Sequence, residues 1–246
     1  MSKAFQIRGY FVTGTDTGVG KTLVSAAMIL KLQELGLKTC GFKPVVAGMH
    51  FKDGKSYSGD LETLLLSSHY SSPHLTAEQI CPYHLIDPAA PHLVAKKMHI
   101  ELDLEKIQSA YQILRSNHQA MIVEGAGGFL VPLSDTTSIA DFANLIQLPI
   151  ILVVGIKLGC INHALLTVEA IQKRGLKLAG WVANQIEPPS DYLLMNIDYL
   201  SKILAADYQA PIIGNIPYMG HLVHDTYSVR DLNLTNNYLD ANLLIY

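Results

Sequence analysis

The chain has 246 residues, 49% of them apolar and 16% charged, with a formal net charge of −3. That length and composition fit one globular α/β domain over residues 1–246 with a sizeable core. The weak negative balance and the lack of basic runs exclude the electrostatic footprint of a nucleic-acid binder.

In chain order, Ile7 to Val12 reads as a strand, followed by the turn Thr13-Gly14-Thr15-Asp16-Thr17-Gly18-Val19-Gly20-Lys21-Thr22. A helical pattern runs from Leu23 to Leu35, with Gly36 at the position of a C′ glycine. Strand, glycine loop ending in Gly-Lys-Thr, then helix is the context of a phosphate-binding loop. Its glycines let backbone N–H groups approach phosphate oxygens, and the helix start adds partial positive charge. Lys21 would reach the β- and γ-phosphates, and the Thr22 hydroxyl would sit on Mg²⁺. The loop is a variant: the usual spacing places a glycine at position 15, and Thr15 stands there.

Thr39 to Val45 reads as a second strand that Pro44 ends, and Met49 to Ser58 as a polar loop turning at Asp53-Gly54. A short helix follows from Asp60 to Leu66, and proline-rich 69–91 reads as an irregular excursion. Asp103 to Asn117 is helical, with Leu104, Ile107, Tyr111 and Leu114 on one face. Ala120 to Val123 is a buried strand ending in Glu124-Gly125-Ala126-Gly127-Gly128, and Ile139 to Ile146 a helix. Ile150 to Val154 is an unbroken apolar strand, as when both faces of a parallel sheet are covered. Then come a helix over Ile161 to Arg174, a strand over Leu178 to Val182, a helix over Tyr192 to Ala205 and a strand over Ile212 to Ile216. The remainder is polar and Asn-rich, and residues 220–246 carry no structural signal.

Strands alternating with helices predict a doubly wound, mostly parallel sheet of the P-loop NTPase kind. Ligands of such sheets bind beyond the carboxyl ends of the strands. The candidate groups are therefore the loop, Lys43, Glu124 with its glycines, the stretch from Lys157 to Asn162, and Asn184. Lys43 would bring a second cation to phosphate, although an edge-strand lysine reads the same way on its own. Glu124 suits a Mg²⁺ ligand. Asp60 reads as a second metal carboxylate or simply a helix N-cap, and Asn184 as a partner for an adenine edge.

The three cysteines, Cys40, Cys81 and Cys160, lack metal-ligand spacing, and the ten histidines form no HExxH. Met1 to Arg8 lacks the apolar core of a secretory signal, so a cytoplasmic setting is expected. The longest apolar run, Leu148 to Ile156, is too short to span a bilayer.

Taken together, these stretches resemble the dethiobiotin synthetases. The matching segments are residues 10–17, 19–22, Lys43-Pro44-Val45, Val123 to Gly128, Pro132 to Thr136, Lys157 to Ala164, Leu178 to Asn184 and Ile216-Pro217. The resemblance implies a homodimeric cyclo-ligase that uses Mg²⁺ and ATP. It would close the ureido ring of dethiobiotin from 7,8-diaminononanoate and CO₂ (from bicarbonate), by way of a carbamate and a carbamic-phosphoric anhydride, releasing ADP and phosphate. It implies that Lys43, Lys21 and Thr17 act on the reacting phosphate and carbamate, and that Thr22, Asp60 and Glu124 gather Mg²⁺. Gly18, Val19, Gly20, Lys21, Thr22 and Leu23 would cradle phosphates, with Gly125, Ala126 and Gly127 alongside. Asn184, Gln185, Pro217, Tyr218 and Met219 would surround the adenine. Leu158, Gly159, Cys160, Ile161 and Asn162 would hold the substrate carboxylate across the dimer interface. Ala47 stands where the family carries a substrate-contacting serine, and Gly18, Asn215 and His221 also depart from familiar members. The alternative is a regulatory or partitioning ATPase switch acting on a protein partner. Such switches carry an additional lysine early in the loop, where this chain has Thr15 and Asp16.

Overall fold

The computed structural model describes residues 9–52, 55–220 and 226–244. Residues 7 and 8, the Asp53-Gly54 turn and His221 lie outside the described residues.

The chain opens with β1 (Gly9–Gly14), the phosphate loop, and α1 (Lys21–Glu34). Next come β2 (Thr39–Phe42), β3 (Val46–Ala47), β4 (His50–Lys52), β5 (Lys55–Tyr57) and α2 (Gly59–Ser68). The excursion holds α3 (Ala77–Ile80), β6 (His84–Leu85) and α4 (Pro91–Lys97). Then follow α5 (Leu104–Ser116), β7 (Ala120–Gly128), α6 (Ile139–Ile146), β8 (Ile150–Ile156) and α7 (Cys160–Lys173). The last elements are β9 (Leu178–Gln185), α8 (Asp191–Tyr208), β10 (Ile212–Ile216), α9 (Val229–Asn236) and a 3₁₀ turn at Ala241–Leu244.

Six strands form one sheet in the order β10-β9-β8-β1-β7-β2, every pair parallel. β1 lies between β7 and β8, so the chain steps from β1 to one side of the sheet and later crosses to the other. Such a reversal opens a crevice at the strands' carboxyl ends. The phosphate loop leaves β1 there.

The sheet strands are buried because helices cover both faces. On one side Phe11, Phe42, Tyr111 and Phe142 pack ring to ring, with centroids 5.8–6.5 Å apart, joining β1 and β2 to α5 and α6. α1 is buried almost all round. Met28, Ile29 and Leu32 belong to the main core, while Leu23, Ala26 and Leu30 form a second cluster with Leu232 of α9. The Asn236 amide donates to Glu34 Oε1 at 2.6 Å, tying α9 to the end of α1. The Tyr10 hydroxyl donates to the Leu244 carbonyl at 2.9 Å and docks the 3₁₀ turn on β1.

Several expectations need correction. Residues 49–58 are not a loop: β4 and β5 pair as an antiparallel hairpin, whose alternation is too short to show in sequence. The excursion is not wholly irregular, since β3 and β6 make a small parallel pair and Pro91 sits in the first turn of α4, where its missing N–H costs nothing. β2 stops at Phe42, ahead of Pro44. β7 runs on through Glu124 to Gly128, and β9 runs through Asn184 to Gln185. Both functional side chains therefore sit within strands rather than after them. The polar tail contains α9, a helix the sequence reading passed over. α1 starts at Lys21 rather than Leu23 and α7 at Cys160 rather than Ile161.

Candidate functional site

α1 begins on Gly20 (φ +87) without a side-chain cap. α7 likewise starts on Gly159 without one. By contrast, α5, α8 and α9 are capped by Asp103, Ser190 and Ser228. An uncapped helix start keeps its first-turn N–H groups for a ligand. At Gly20 the close neighbour is Asn184, whose amide nitrogen donates to the Val19 carbonyl at 2.9 Å. Asn184 thus fixes the loop, a role its position as a base-edge candidate did not reveal.

A cleft of about 470 Å³ opens over the loop. Thr17, Gly18, Gly20, Lys21, Thr22, Lys43, Asp60, Glu124 and Gly127 all line it. Residues distant in sequence meet on its floor. The Thr22 hydroxyl donates to Asp60 Oδ1 at 2.9 Å and lies 2.8 Å from Glu124 Oε1. Lys43 Nζ bridges Asp60 Oδ2 at 2.7 Å and Glu124 Oε1 at 2.5 Å. Asp60 is not the cap of its helix: Ser58 occupies that position, and Asp60 points from the first turn into the cluster. Lys43 is 3% exposed and Glu124 is fully buried, which removes the exposed edge-lysine alternative.

The charges are set by burial and by each other. Burial pushes Lys43 downward, but Asp60 and Glu124 override it and hold the ammonium above its ordinary range. Burial raises Glu124 although Lys43 opposes the shift. Burial also raises Asp60, but Lys43 and Thr22 outweigh it and leave that carboxyl lowered. For Lys21, burial and then Lys43 lower the pKa to about 8, against partial compensation by Glu124 and Asp60. Its Nζ donates to the Asp16 carbonyl at 2.8 Å. Burial pushes the Cys40 and Cys81 thiols up to about 12.

A second cleft of about 240 Å³ adjoins the first and is lined by Leu23, Asn184, Gln185, Pro217, Tyr218 and Met219, among others. The structure therefore gathers the expected phosphate-side and base-side residues into two neighbouring spaces. Val19 is buried beneath the loop, and Gly125 and Ala126 lie inside β7, so these support the walls without lining them. Residues 158–162 line neither cleft. They start α7, with Leu158 91% exposed and Cys160 buried. Lys157 just before them meets Asp16 of the loop at 3.3 Å. His50, Pro88 and Tyr227 line the larger cleft unforeseen. For Tyr227 the available signal was the all-round apolar surface of α1, which demands a cover.

A parallel sheet reversing direction at β1, with a glycine loop closing on Lys21-Thr22 and carboxylates beneath it, defines a P-loop NTPase fold. Residues 8–226 match the family model described as an AAA domain, and the chain belongs to that family. Among solved structures it is similar to the MinD cell division protein of Aquifex aeolicus, at 15% identity over 97% of this chain and 93% of that one, with a TM-score of 0.53. The cell division ATPase MinD of Pyrococcus furiosus gives 16% identity, 95% and 90% coverage, and a TM-score of 0.52. The septum site-determining protein MinD complexed with Mg-ADP from Pyrococcus horikoshii OT3 gives 14%, 96% and 88%, and 0.50. Identities this low speak for the fold alone. No helix among the described residues is long and apolar enough to cross a membrane.

Proposed function

We propose that this chain is an ATP-dependent cyclo-ligase of the dethiobiotin synthetase kind, acting on 7,8-diaminononanoate and CO₂ in the cytoplasm as a homodimer. The observation that carries the reading is the second buried lysine: Lys43 held by Asp60 and Glu124 beside the Lys21-Thr22 loop. A partitioning-type switch places its additional lysine early in the loop, where Thr15 and Asp16 stand here, whereas Lys43 enters from the end of β2, where a site that must also stabilise a carbamate has use for a second fixed cation. The family includes dethiobiotin-synthase-like P-loop proteins. The Glu-Gly-Ala-Gly-Gly and Lys-Leu-Gly-Cys-Ile-Asn-His stretches supply the finer resemblance.

In this reading one amine of the substrate takes up CO₂ as a carbamate. The carbamate oxygen attacks the γ-phosphorus and ADP leaves. The second amine then closes on the activated carbon and expels phosphate. Phosphoryl transfer asks mainly for positioning and for cations aimed at spreading negative charge. Lys21 and the loop N–H groups hold the phosphates, Thr17 stands at the mouth, and Lys43 neutralises the carbamate. Thr22, Asp60 and Glu124 present hard oxygen donors suited to Mg²⁺, and the buried Glu124 Oε2 has no hydrogen-bond partner among the described residues. Magnesium bound there would neutralise the phosphates, as the Mg-ADP of the Pyrococcus horikoshii relative illustrates for the fold. Asn184, Gln185 and residues 217–219 would enclose the adenine, and the start of α7 would take the substrate carboxylate across a dimer interface that includes exposed Leu158.

The deciding experiment is phosphate release from Mg-ATP with bicarbonate, with and without 7,8-diaminononanoate. Release that depends on the diamine, with a product mass showing the closed ring, supports the ligase. Release indifferent to the diamine supports the partitioning-type switch.

Lys21 gives this site a pH signature. Its folded-state pKa of about 8 lies below the ordinary lysine value of 10.5. Burial thus penalises the charged form below pH 8, and that penalty fades as pH rises from 8 towards 10.5. A bound phosphate favours the ammonium, so nucleotide binding takes up a proton only above the free-state pKa. Calorimetry in buffers of different ionisation enthalpy should show little uptake near pH 7 and close to one proton at roughly pH 9, with ADP affinity falling accordingly. Uptake that stays flat across this window would exclude Lys21 as the phosphate partner.

A further inference from the structure

The two clefts share three lining residues: Gly18, Gly20 and Tyr227. Two belong to the loop. Tyr227 comes from the C-terminal segment and is the large side chain at this waist. Local sequence fixes it there. Tyr227 precedes Ser228, the N-cap of α9, whose N–H donates to the Asp231 carboxylate at 2.9 Å while its hydroxyl accepts from the Asp231 N–H at 3.3 Å. In that frame Tyr227 occupies N′ and Leu232 occupies N4, the two positions of a hydrophobic staple. Both pack on Leu23, Ala26 and Leu30 of α1. Leu23 also lines the smaller cleft.

A ligand extending from Lys21 to Asn184 and Gln185 must cross the waist. In a nucleoside polyphosphate the part that crosses is the sugar and its first phosphate. An aromatic ring there offers apolar contact to the sugar and excludes water, without adding charge. We propose that Tyr227 is a positioning residue that clamps the sugar of a bound nucleoside polyphosphate against the Gly18–Gly20 loop, so that α9 completes the nucleotide site. This rests on the nucleotide-binding part of the function proposed above.

A staple alone would give the same packing, so the test separates the two roles. ADP and inorganic tripolyphosphate are titrated calorimetrically into full-length wild type, Tyr227→Leu and Tyr227→Phe. Leucine keeps the staple and removes the ring. The clamp requires Tyr227→Leu to weaken ADP binding about tenfold and Tyr227→Phe by no more than about twofold, with tripolyphosphate affinity and melting temperature held. Tyr227→Met repeats the comparison should the leucine variant fold poorly. Unchanged ADP affinity in the leucine and methionine variants overturns the clamp, as does equal weakening of ADP and tripolyphosphate. A wild type that binds neither ligand overturns the nucleotide reading itself, and the clamp with it.

Discussion

Replacing Lys43 with alanine should lower diamine-dependent turnover by about 10²–10³ while ATP still binds, the cost typical of one preorganised electrostatic partner. The geometry makes this more than a generic loss of charge. Lys43 is 3% exposed and spans Asp60 and Glu124, so its ammonium is held in place before substrate arrives. Removing it leaves Glu124 buried without its cation. A broken buried pair of this kind costs about 3–5 kcal/mol, which for a chain of this size is roughly 6–20 °C in melting temperature. The two effects separate by cation. With chelator present, Lys43→Ala should melt well below wild type. Added Mg²⁺ should recover part of the deficit, because the same carboxylates then face a cation again, yet turnover should stay low. Near-wild-type kcat with bound ATP would sink the catalytic role. An unchanged melting curve in chelator would show that the carboxylates do not depend on Lys43.

The sheet and its order of helices were legible because both faces are covered: β8 is an unbroken apolar run, and crossover helices such as α5 and α6 carry a periodic face. Glu124 and Lys43 were legible as candidates because a charge at the end of an apolar run stands out. Their contact was not, since 81 residues separate them and only the pairing of β2 beside β7 brings them together. The extension of β7 and β9 past Glu124 and Asn184 was hidden by glycine and asparagine, which weigh against strand locally but are overruled by parallel pairing with β1 and β8. The hairpin over residues 50–57 was hidden by its brevity. α9 was missed for another reason. Its own pattern is short and polar, and the stronger signal lies in α1, where Leu23, Ala26 and Leu30 face away from the main core and have to be covered by something. Reading the need of one helix would have predicted the other.

Gly20→Ala should disable the loop, whereas Gly18→Ala two residues earlier should be tolerated. Both glycines have positive φ, +87 at Gly20 and +74 at Gly18, so each substitution bears a backbone penalty of about 1–2 kcal/mol. Their surroundings differ. Among the described residues a Cβ at Gly18 meets nothing within 4 Å, while one at Gly20 runs into the Asn184 amide. That amide is 6% exposed and donates to the Val19 carbonyl, so it cannot move aside without surrendering a buried hydrogen bond. The lost bond adds about 1–3 kcal/mol. Gly20→Ala is therefore expected to cost roughly 3 kcal/mol and Gly18→Ala roughly 1 kcal/mol, and only the former should weaken ADP binding by more than about tenfold. Asn184→Ala supplies the internal control. Alone it removes the tether but opens space, so Gly20→Ala combined with Asn184→Ala should destabilise less than the sum of the two, by about 1 kcal/mol of coupling. Denaturant melts of the four proteins measure this directly. Equal losses at Gly18 and Gly20, or strict additivity with Asn184→Ala, would mean that Asn184 does not hold the loop and that its place in the cleft serves the base alone.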